Sequence, residues 1–279
     1  MNGLFSYYEG DSFLHRRNPS LKLLSLMVLM LAVAMAFDPW TPTIFFLAGL
    51  AVQRFLGRVP LRNLARPLLL FFALGALGFV GSNAFFYAPP PGISLRSSVT
   101  ILWQRGALRV TAEGLRMGVS LTIRMMAILT FSMLFVTTTD PTDLVLSLIQ
   151  HARFPFRLGY GILVAYRFLP LWRTELAIIQ AAHRVRGVGE RATLKGRWEQ
   201  LRRYAVPLLA GAIRKSERVA IAMDSKAFGA LPRRSYYRQV RVTWLDWAML
   251  AGTISATVVI LLVLGRAGLL IGYGVVPED

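Results

Sequence analysis

Long apolar runs are the feature that most constrains how this 279-residue chain can fold. Four lie in the N-terminal half and one near the C-terminus, over residues 23–37, 43–56, 67–87, 115–136 and 244–264. A helix needs about 20 mostly apolar residues to cross a bilayer, or fewer where aromatic or basic residues anchor its ends. The composition agrees with helices that cross a bilayer, because only 16% of the residues are charged, whereas about 25% are charged in soluble domains. The sequence therefore predicts an all-α integral membrane protein with about five transmembrane helices.

Basic residues predict which ends of these helices face the cytoplasm. They flank the first apolar run and fill the connection between the second and the third, at Arg16, Arg17, Lys22, Arg54, Arg58, Arg62 and Arg66. Cytoplasmic loops carry an excess of Lys and Arg, so we expect both segments and the N-terminus inside. The first run lacks a small-residue cleavage pattern, which favours a retained transmembrane helix over a signal peptide. We expect a multi-pass protein of the cell membrane.

A strongly basic stretch separates the fourth apolar run from the fifth. Residues 151–241 hold nineteen Lys and Arg against five Asp and Glu, which indicates a cytoplasmic position. Apolar residues at helical spacing predict two amphipathic helices there, one over residues 158–185 interrupted by Pro170 and one after Pro207. We expect a membrane domain of residues 1–136, a cytoplasmic and interfacial module of residues 137–243, and a C-terminal transmembrane helix with its tail, residues 244–279.

The composition and the motifs exclude several classes of function. The chain has no cysteine, and its three histidines, His15, His151 and His183, are too scattered to form a metal-ligand motif. No catalytic grouping or phosphate loop appears in the sequence, so we expect no enzyme activity, no metal and no bound cofactor. The net charge of +18 is explained by the positive-inside bias, so we expect no nucleic-acid partner. The alternative, a membrane-anchored nucleic-acid binder, would bind RNA or DNA with strong salt dependence.

Two segments, 180–187 and 222–229, end a helical pattern in a cation and small residues, and the two cations, Arg186 and Lys226, are 40 residues apart. A glycine just past a helix end is an ordinary C-cap, and a cation there complements the helix dipole, so each segment has a purely structural interpretation. The repetition favours a function. An exposed cation at a helix end can enter a groove on a partner and pair with carboxylates, through two parallel hydrogen bonds for Arg186 and as a point charge for Lys226.

Two features inside the apolar runs are candidates for a functional or a packing role. Arg124 lies in the middle of the fourth run, where a charge costs a few kcal/mol, so it pairs within the bundle, faces a partner or snorkels to the interface. Gly75, Gly78 and Gly81 form a small-residue face in the third run. Such a face permits close helix packing, either within the chain or against a membrane partner.

The connection between the third and fourth runs is expected outside the cell. Residues 88–110 open with a proline-rich stretch and continue with Ile101-Leu102-Trp103-Gln104-Arg105-Gly106-Ala107-Leu108-Arg109-Val110. That pattern predicts a small β-hairpin over residues 101–110, turning at Arg105 and Gly106.

Three further motifs complete a recognisable series. They are Asn18-Pro19-Ser20-Leu21-Lys22-Leu23-Leu24, Thr137-Thr138-Thr139-Asp140-Pro141-Thr142-Asp143-Leu144 and Tyr166-Arg167-Phe168-Leu169-Pro170. Together with the two helix ends, and in the same order, they resemble the motifs of the transmembrane T component of energy-coupling factor transporters. That family includes the cobalt-transport Q-type and biotin-transport N-type proteins. The resemblance extends from about residue 18 to residue 230.

The resemblance implies a role for the two helix ends. In that family they terminate coupling helices that sit in grooves on a pair of ATP-binding-cassette ATPases. The positions that would take these roles are Val185, Arg186, Gly187, Ser225, Lys226 and Ala227, and the second set departs from the family pattern with Lys for Arg and Ala for Gly.

The resemblance also implies the partners. ATP and magnesium would bind to the ATPases, and a small membrane-embedded substrate-binding subunit would carry a vitamin or a transition metal ion such as cobalt or nickel. The alternative is the permease of a conventional ABC importer, whose Glu-Ala-Ala-x-x-x-Gly loop also docks an ATPase. The segment from Gln180 fits that loop poorly, because it lacks the Glu and Gly187 lies one residue too far along.

Overall fold

The computed structural model describes residues 10–36, 38–58, 60–86, 101–105, 108–187, 193–231 and 235–268. Their regular secondary structure is helical apart from one two-stranded hairpin. They divide into two compact units, Met1–Ser147 with Val240–Asp279 and Leu148–Gln239. The predicted all-α fold class is confirmed, while the predicted division at residues 136/137 and 243/244 stays a prediction.

The first unit is a helical bundle. Its helices are α1 (Pro19–Met35), α2 (Trp40–Phe55), α3 (Leu61–Gly75), a π-helical turn (Ala76–Val80), α4 (Gly81–Phe86), α5 (Ala112–Thr138) and α9 (Trp244–Arg266). Helix α1 begins where Asn18 accepts a hydrogen bond from the Ser20 backbone and Pro19 supplies a favourable first residue. Helix α9 begins with a capping box formed by Thr243 and Asp246.

Three helical stretches are long and apolar enough to cross a membrane: Ala65–Phe85, Ala112–Thr138 and Trp244–Arg266. They correspond to the third, fourth and fifth predicted runs. Helices α1 and α2 have 17 and 16 residues, so at 1.5 Å per residue each is about 25 Å long, slightly shorter than the hydrocarbon core. That α1 and α2 each cross the whole bilayer stays a prediction.

Helix α5 is the centre of the first unit, because α1, α2, α3, the π-helical turn and α4 all contact it. Phe45 of α2 packs edge-to-face on Phe131 of α5, with ring centroids 6.5 Å apart. Both rings are buried beside Val33. Gly49 permits this approach, since a Cβ there would lie 3.1 Å from the Thr130 methyl group.

The predicted hairpin is present. Strands β1 (Ile101–Arg105) and β2 (Leu108–Thr111) pair antiparallel, with Arg105 opposite Leu108. Thr111 ends β2 and starts α5, because its side chain accepts a hydrogen bond from the Gly114 backbone at 3.2 Å. Gly106 and the proline-rich stretch at residues 88–92 lie outside the described residues.

The second unit is built on two long helices, α7 (Phe156–Val185) and α8 (Leu194–Ser225), and α6 (Pro141–His151) leads the chain into it. The long helix predicted over residues 158–185 is present as α7, and Pro170, which interrupts the sequence pattern, does not interrupt the helix. The predicted start after Pro207 is wrong, because α8 begins at Leu194 and contains Pro207. A proline removes one backbone hydrogen bond, and helices of 30 and 32 residues retain enough others on both sides to continue.

Candidate functional site

The two long helices of the second unit run antiparallel. Near the end of α7, the rings of His183 and Tyr204 have centroids 5.5 Å apart. Earlier in α7, Glu175 Oε2 lies 2.6 Å from Lys215 Nζ, which is later in α8. Earlier positions in α7 thus contact later positions in α8. The C-terminal end of α7 and the C-terminal end of α8 therefore lie at opposite ends of the pair.

The C-terminal end of α7 is an exposed, capped helix end. Val185 is its last residue, with 89% of its surface exposed, and Arg186 is the C-cap. Gly187 then adopts a left-handed conformation with φ of +71°, and its backbone N–H donates to the carbonyl oxygen of Arg184 at 3.0 Å. A Cβ at Gly187 would meet nothing within 4 Å, so backbone conformation rather than crowding favours glycine here.

The C-terminal end of α8 repeats this geometry with different residues. Lys226 is the C-cap, and Ala227 adopts the left-handed conformation with φ of +54°. The N–H of Ala227 donates to the Asp224 carbonyl at 2.9 Å, and the N–H of Phe228 donates to the Met223 carbonyl at 3.0 Å. These two bonds form a Schellman motif. The sequence departures therefore leave the shape of the second end unchanged.

Aromatic contacts hold the end of α8 against the beginning of α7. The ring of Phe228 packs edge-to-face on Tyr160, with centroids 5.4 Å apart, and on Phe156 at 5.8 Å. The contact between His183 and Tyr204 holds the other end of the pair in the same way. Each capped end is thus fixed to the neighbouring helix within a few residues of its cation.

The cations at both ends are available to a partner. Arg186 and Lys226 are exposed, and within the described ranges neither side chain forms a hydrogen bond or an ion pair. Each lies about 16 Å along its helix from the contact between Glu175 and Lys215, in opposite directions. The two cations are therefore roughly 30 Å apart along the pair. Each end thus combines C-cap geometry with an exposed cation, and a docking role for these cations stays a prediction.

Arg124 has a structural role within the first unit. Its guanidinium donates to the carbonyl oxygen of Ala36, which is the C-cap of α1. The same turn is fixed by Asp38, which accepts a hydrogen bond from the Thr41 backbone at 2.6 Å and, through its own carbonyl, one from Ser120 at 3.3 Å. Arg124 therefore pairs within the bundle and joins α5 to the turn between α1 and α2. A function toward a partner stays a prediction.

The three glycines of the third run have different surroundings. A Cβ at Gly75 would lie 3.3 Å from the Thr122 methyl group of α5, so Gly75 serves packing within the chain. At Gly78 and Gly81 a Cβ would meet nothing within 4 Å. Sequence reasoning missed a close approach between two backbones at Gly118, where a Cβ would lie 2.6 Å from the Cα of Val80. Its only signal is an isolated glycine inside an apolar run.

Two of the recognised motifs meet at Lys22. Its Nζ donates to the carbonyl oxygen of Thr138 at 2.8 Å, and the lysine is only 5% exposed. Thr138 is the last residue of α5, so Lys22 satisfies a carbonyl that the helix leaves without an internal partner. The cation also complements the dipole of α5. The first motif therefore caps the helix that the second motif ends.

A buried polar cluster fixes the beginnings of α1 and α9 together. The backbone N–H of Asn18 donates to Asp246 Oδ1 at 3.0 Å, and Asp246 is 1% exposed. The Asn18 side chain accepts hydrogen bonds from the Ser20 backbone at 3.0 Å and from the Ser147 hydroxyl at 2.8 Å. Sequence reasoning did not predict this cluster. The Thr243-x-x-Asp246 pattern of a capping box is the only local signal for it.

A cavity of about 370 Å³ lies in the first unit between α1, α2, α5 and α9. Its polar lining residues are already committed to backbone acceptors. Ser25 donates to Leu21 at 2.9 Å, Thr257 donates to Thr253 at 2.8 Å, and Lys22 donates to Thr138 as described. Because a polar solute needs convergent polar partners, this apolar cavity does not suit one. Among the described residues, no three His, Asp or Glu side chains are grouped as metal ligands would be.

Comparison with known proteins gives consistent matches over most of the chain. The model of the family CbiQ, described as cobalt transport protein, matches residues 10–237. Proteins named energy-coupling factor transporter transmembrane protein EcfT are similar to the chain. The one from Thermanaerovibrio acidaminovorans is 30% identical over 95% of this chain and 96% of its own length. The one from Streptococcus thermophilus is 25% identical, over 85% and 88% of the two chains.

Proposed function

This chain belongs to the CbiQ family and is a transmembrane component of energy-coupling factor transporters, and from that premise we propose that it is the subunit that couples ATP hydrolysis to transport. In this proposal two ATP-binding-cassette ATPases hydrolyse ATP. The chain transmits their closure to a small membrane-embedded substrate-binding subunit, which then releases its solute inside the cell. The chain itself is not an enzyme, and ATP and magnesium bind to the ATPases.

The arrangement of the two capped helix ends is the observation that carries this proposal. Arg186 and Lys226 are exposed at opposite ends of an antiparallel pair, with the same backbone geometry and roughly 30 Å between them. One groove cannot accept both cations at that separation. Two copies of a groove, one on each ATPase, can accept one cation each.

The chemistry of the two ends predicts unequal contacts. The Arg186 guanidinium can form two parallel hydrogen bonds with a carboxylate, whereas the Lys226 ammonium offers a point charge. We therefore expect the α7 end, with Val185, Arg186 and Gly187, to contribute more to docking than the α8 end, with Ser225, Lys226 and Ala227.

The solute is proposed at the level of class. Solute recognition is assigned to the partner subunit, because the cavity in the first unit is lined mainly by apolar side chains. The description of the matched family, cobalt transport protein, supports cobalt as the first solute to test, and nickel and vitamins are tested after it. We also propose the cell membrane as the location, with a cytoplasmic N-terminus, since that orientation places the basic second unit inside.

Arg186→Glu tests the proposal. Removing one member of a buried charge pair costs about 2 kcal/mol or more, so we expect ATPase affinity to fall roughly 30-fold or more, and uptake to be lost, with the membrane fold intact. The measurement is recovery of the ATPases with the tagged chain, together with uptake of labelled cobalt. Arg202→Glu, on an exposed arginine within α8, is the matched control and should behave as the unmodified chain. Normal recovery and uptake with Arg186→Glu would contradict the proposal.

A further inference from the structure

The ion pair between Glu175 and Lys215 lies midway between the two exposed cations. Glu175 precedes Arg186 by 11 residues, and Lys215 precedes Lys226 by 11 residues. The 40-residue spacing that relates the two cations therefore also relates the two members of the ion pair. Two positions that are related by this 40-residue spacing can contact each other only on a local two-fold axis, as equivalent residues do on the axis of an isologous interface. The ion pair thus marks the point about which the two helix ends are symmetrically placed.

The two members of the pair are in close contact. The Glu175 Oε2 to Lys215 Nζ distance is 2.6 Å, and the side chains of Lys215 and Glu175 are 23% and 37% exposed. A partly exposed ion pair adds little to stability. Polar groups buried between helices can instead fix the register of the helices, and we extend that role to this pair.

The neighbouring contacts differ in kind from the ion pair. On one side His183 packs on Tyr204, and on the other Phe228 packs on Tyr160 and Phe156. Ring contacts tolerate small sliding and tilting, because they have broad preferred geometries. The ion pair is closer, at 2.6 Å, and its attraction weakens as the two charges move apart. Among these three contact zones, the ion pair is the one that specifies how far α7 and α8 are shifted along each other.

We propose that the Glu175–Lys215 ion pair is the pivot that holds α7 and α8 in register, so that a displacement of one exposed end is passed to the other. This proposal rests on the proposed coupling function and deepens it. Glu175 and Lys215 act as positioning residues. They set the separation of Arg186 and Lys226. The two ATPases therefore act on one rigid pair of helices instead of on two independent helices.

A charge exchange tests the pivot. Glu175→Lys and Lys215→Glu each place like charges at the crossing, whereas the double variant restores an opposite pair. In the full transporter we expect each single variant to lower uptake per ATP hydrolysed roughly fivefold or more, and the double variant to restore most of it. Glu217→Lys and Arg218→Glu make the same charge changes at exposed neighbours in α8 and should leave this ratio unchanged. Unchanged coupling in both single variants, or no recovery in the double variant, would overturn the pivot.

A distance measurement on the isolated full chain separates the pivot from the coupling function. The chain has no cysteine, so cysteines introduced at Val185 and Ser225 are unique sites for spin labels. We expect a narrow distance distribution near roughly 30 Å, broader in each single variant and narrow again in the double variant. Equal widths in all four proteins would overturn the pivot even if the ATPases bind. Failure of the unmodified chain to recover ATPases would instead overturn the proposed function.

Discussion

Ala227 adopts a backbone conformation that costs a residue with a Cβ about 1 kcal/mol relative to glycine. It is exposed, and its Schellman hydrogen bonds involve the backbone alone. Ala227→Gly should therefore raise the free energy of unfolding by about 1 kcal/mol without changing the exposed Lys226. Thermal unfolding of the purified chain in detergent is the measurement. Gly187→Ala, at the equivalent position of α7, is the matched change and should lower stability by a similar amount. A lower stability for Ala227→Gly would contradict the assigned cap geometry.

Substitutions of Lys226 test the role of its charge at the C-terminal end of α8. Lys226→Arg supplies a planar fork in place of a point charge, so docking to the ATPases should be kept or strengthened. Lys226→Glu reverses the charge and should weaken docking, though less than Arg186→Glu does. ATPase recovery and uptake are compared across the three variants. If neither change at Lys226 affects transport, the α8 end is only a helix cap.

At the scale of elements, Lys22 connects α1 to the end of α5. Lys22→Met keeps most of the side-chain volume but removes the charged hydrogen bond to Thr138, so stability should fall by about 2 kcal/mol. Thermal unfolding measures the loss, and Lys195→Met, at an exposed lysine of α8, is the control with no expected effect. A melting temperature unchanged by Lys22→Met would contradict the capping role.

Elements with a strong local signal could be predicted from the sequence. The spans over α5 and α9 follow from long apolar runs, and the hairpin over residues 101–110 follows from two short stretches with apolar residues on either side of Arg105 and Gly106. The misplaced start of α8 has a physical reason, because Pro207 is unfavourable in an isolated helix but tolerated where a long helix packs on α7. The π-helical turn beside Gly118 could not be predicted either, since it depends on the close approach of two backbones.

For the whole molecule, the features that the sequence could not predict are contacts between residues far apart in the chain. The motifs around Asn18 and Thr138 are recognisable one by one, yet their contact through Lys22 and the cluster with Asp246 depends on the packing of α1, α5 and α9. Likewise, the 40-residue repeat identifies both helix ends, but their placement at opposite ends of a pair depends on the contacts between α7 and α8.

The proposed coupling role requires this membrane protein to join two ATPases to a solute-binding subunit. Affinity purification of the tagged full chain from its native membrane in mild detergent, followed by mass spectrometry, tests it most directly. We expect ABC ATPases at two copies per chain together with a small integral membrane protein. Recovery of ATPases with a periplasmic or lipoprotein receptor, or a folded chain that recovers no ATPase, would contradict it.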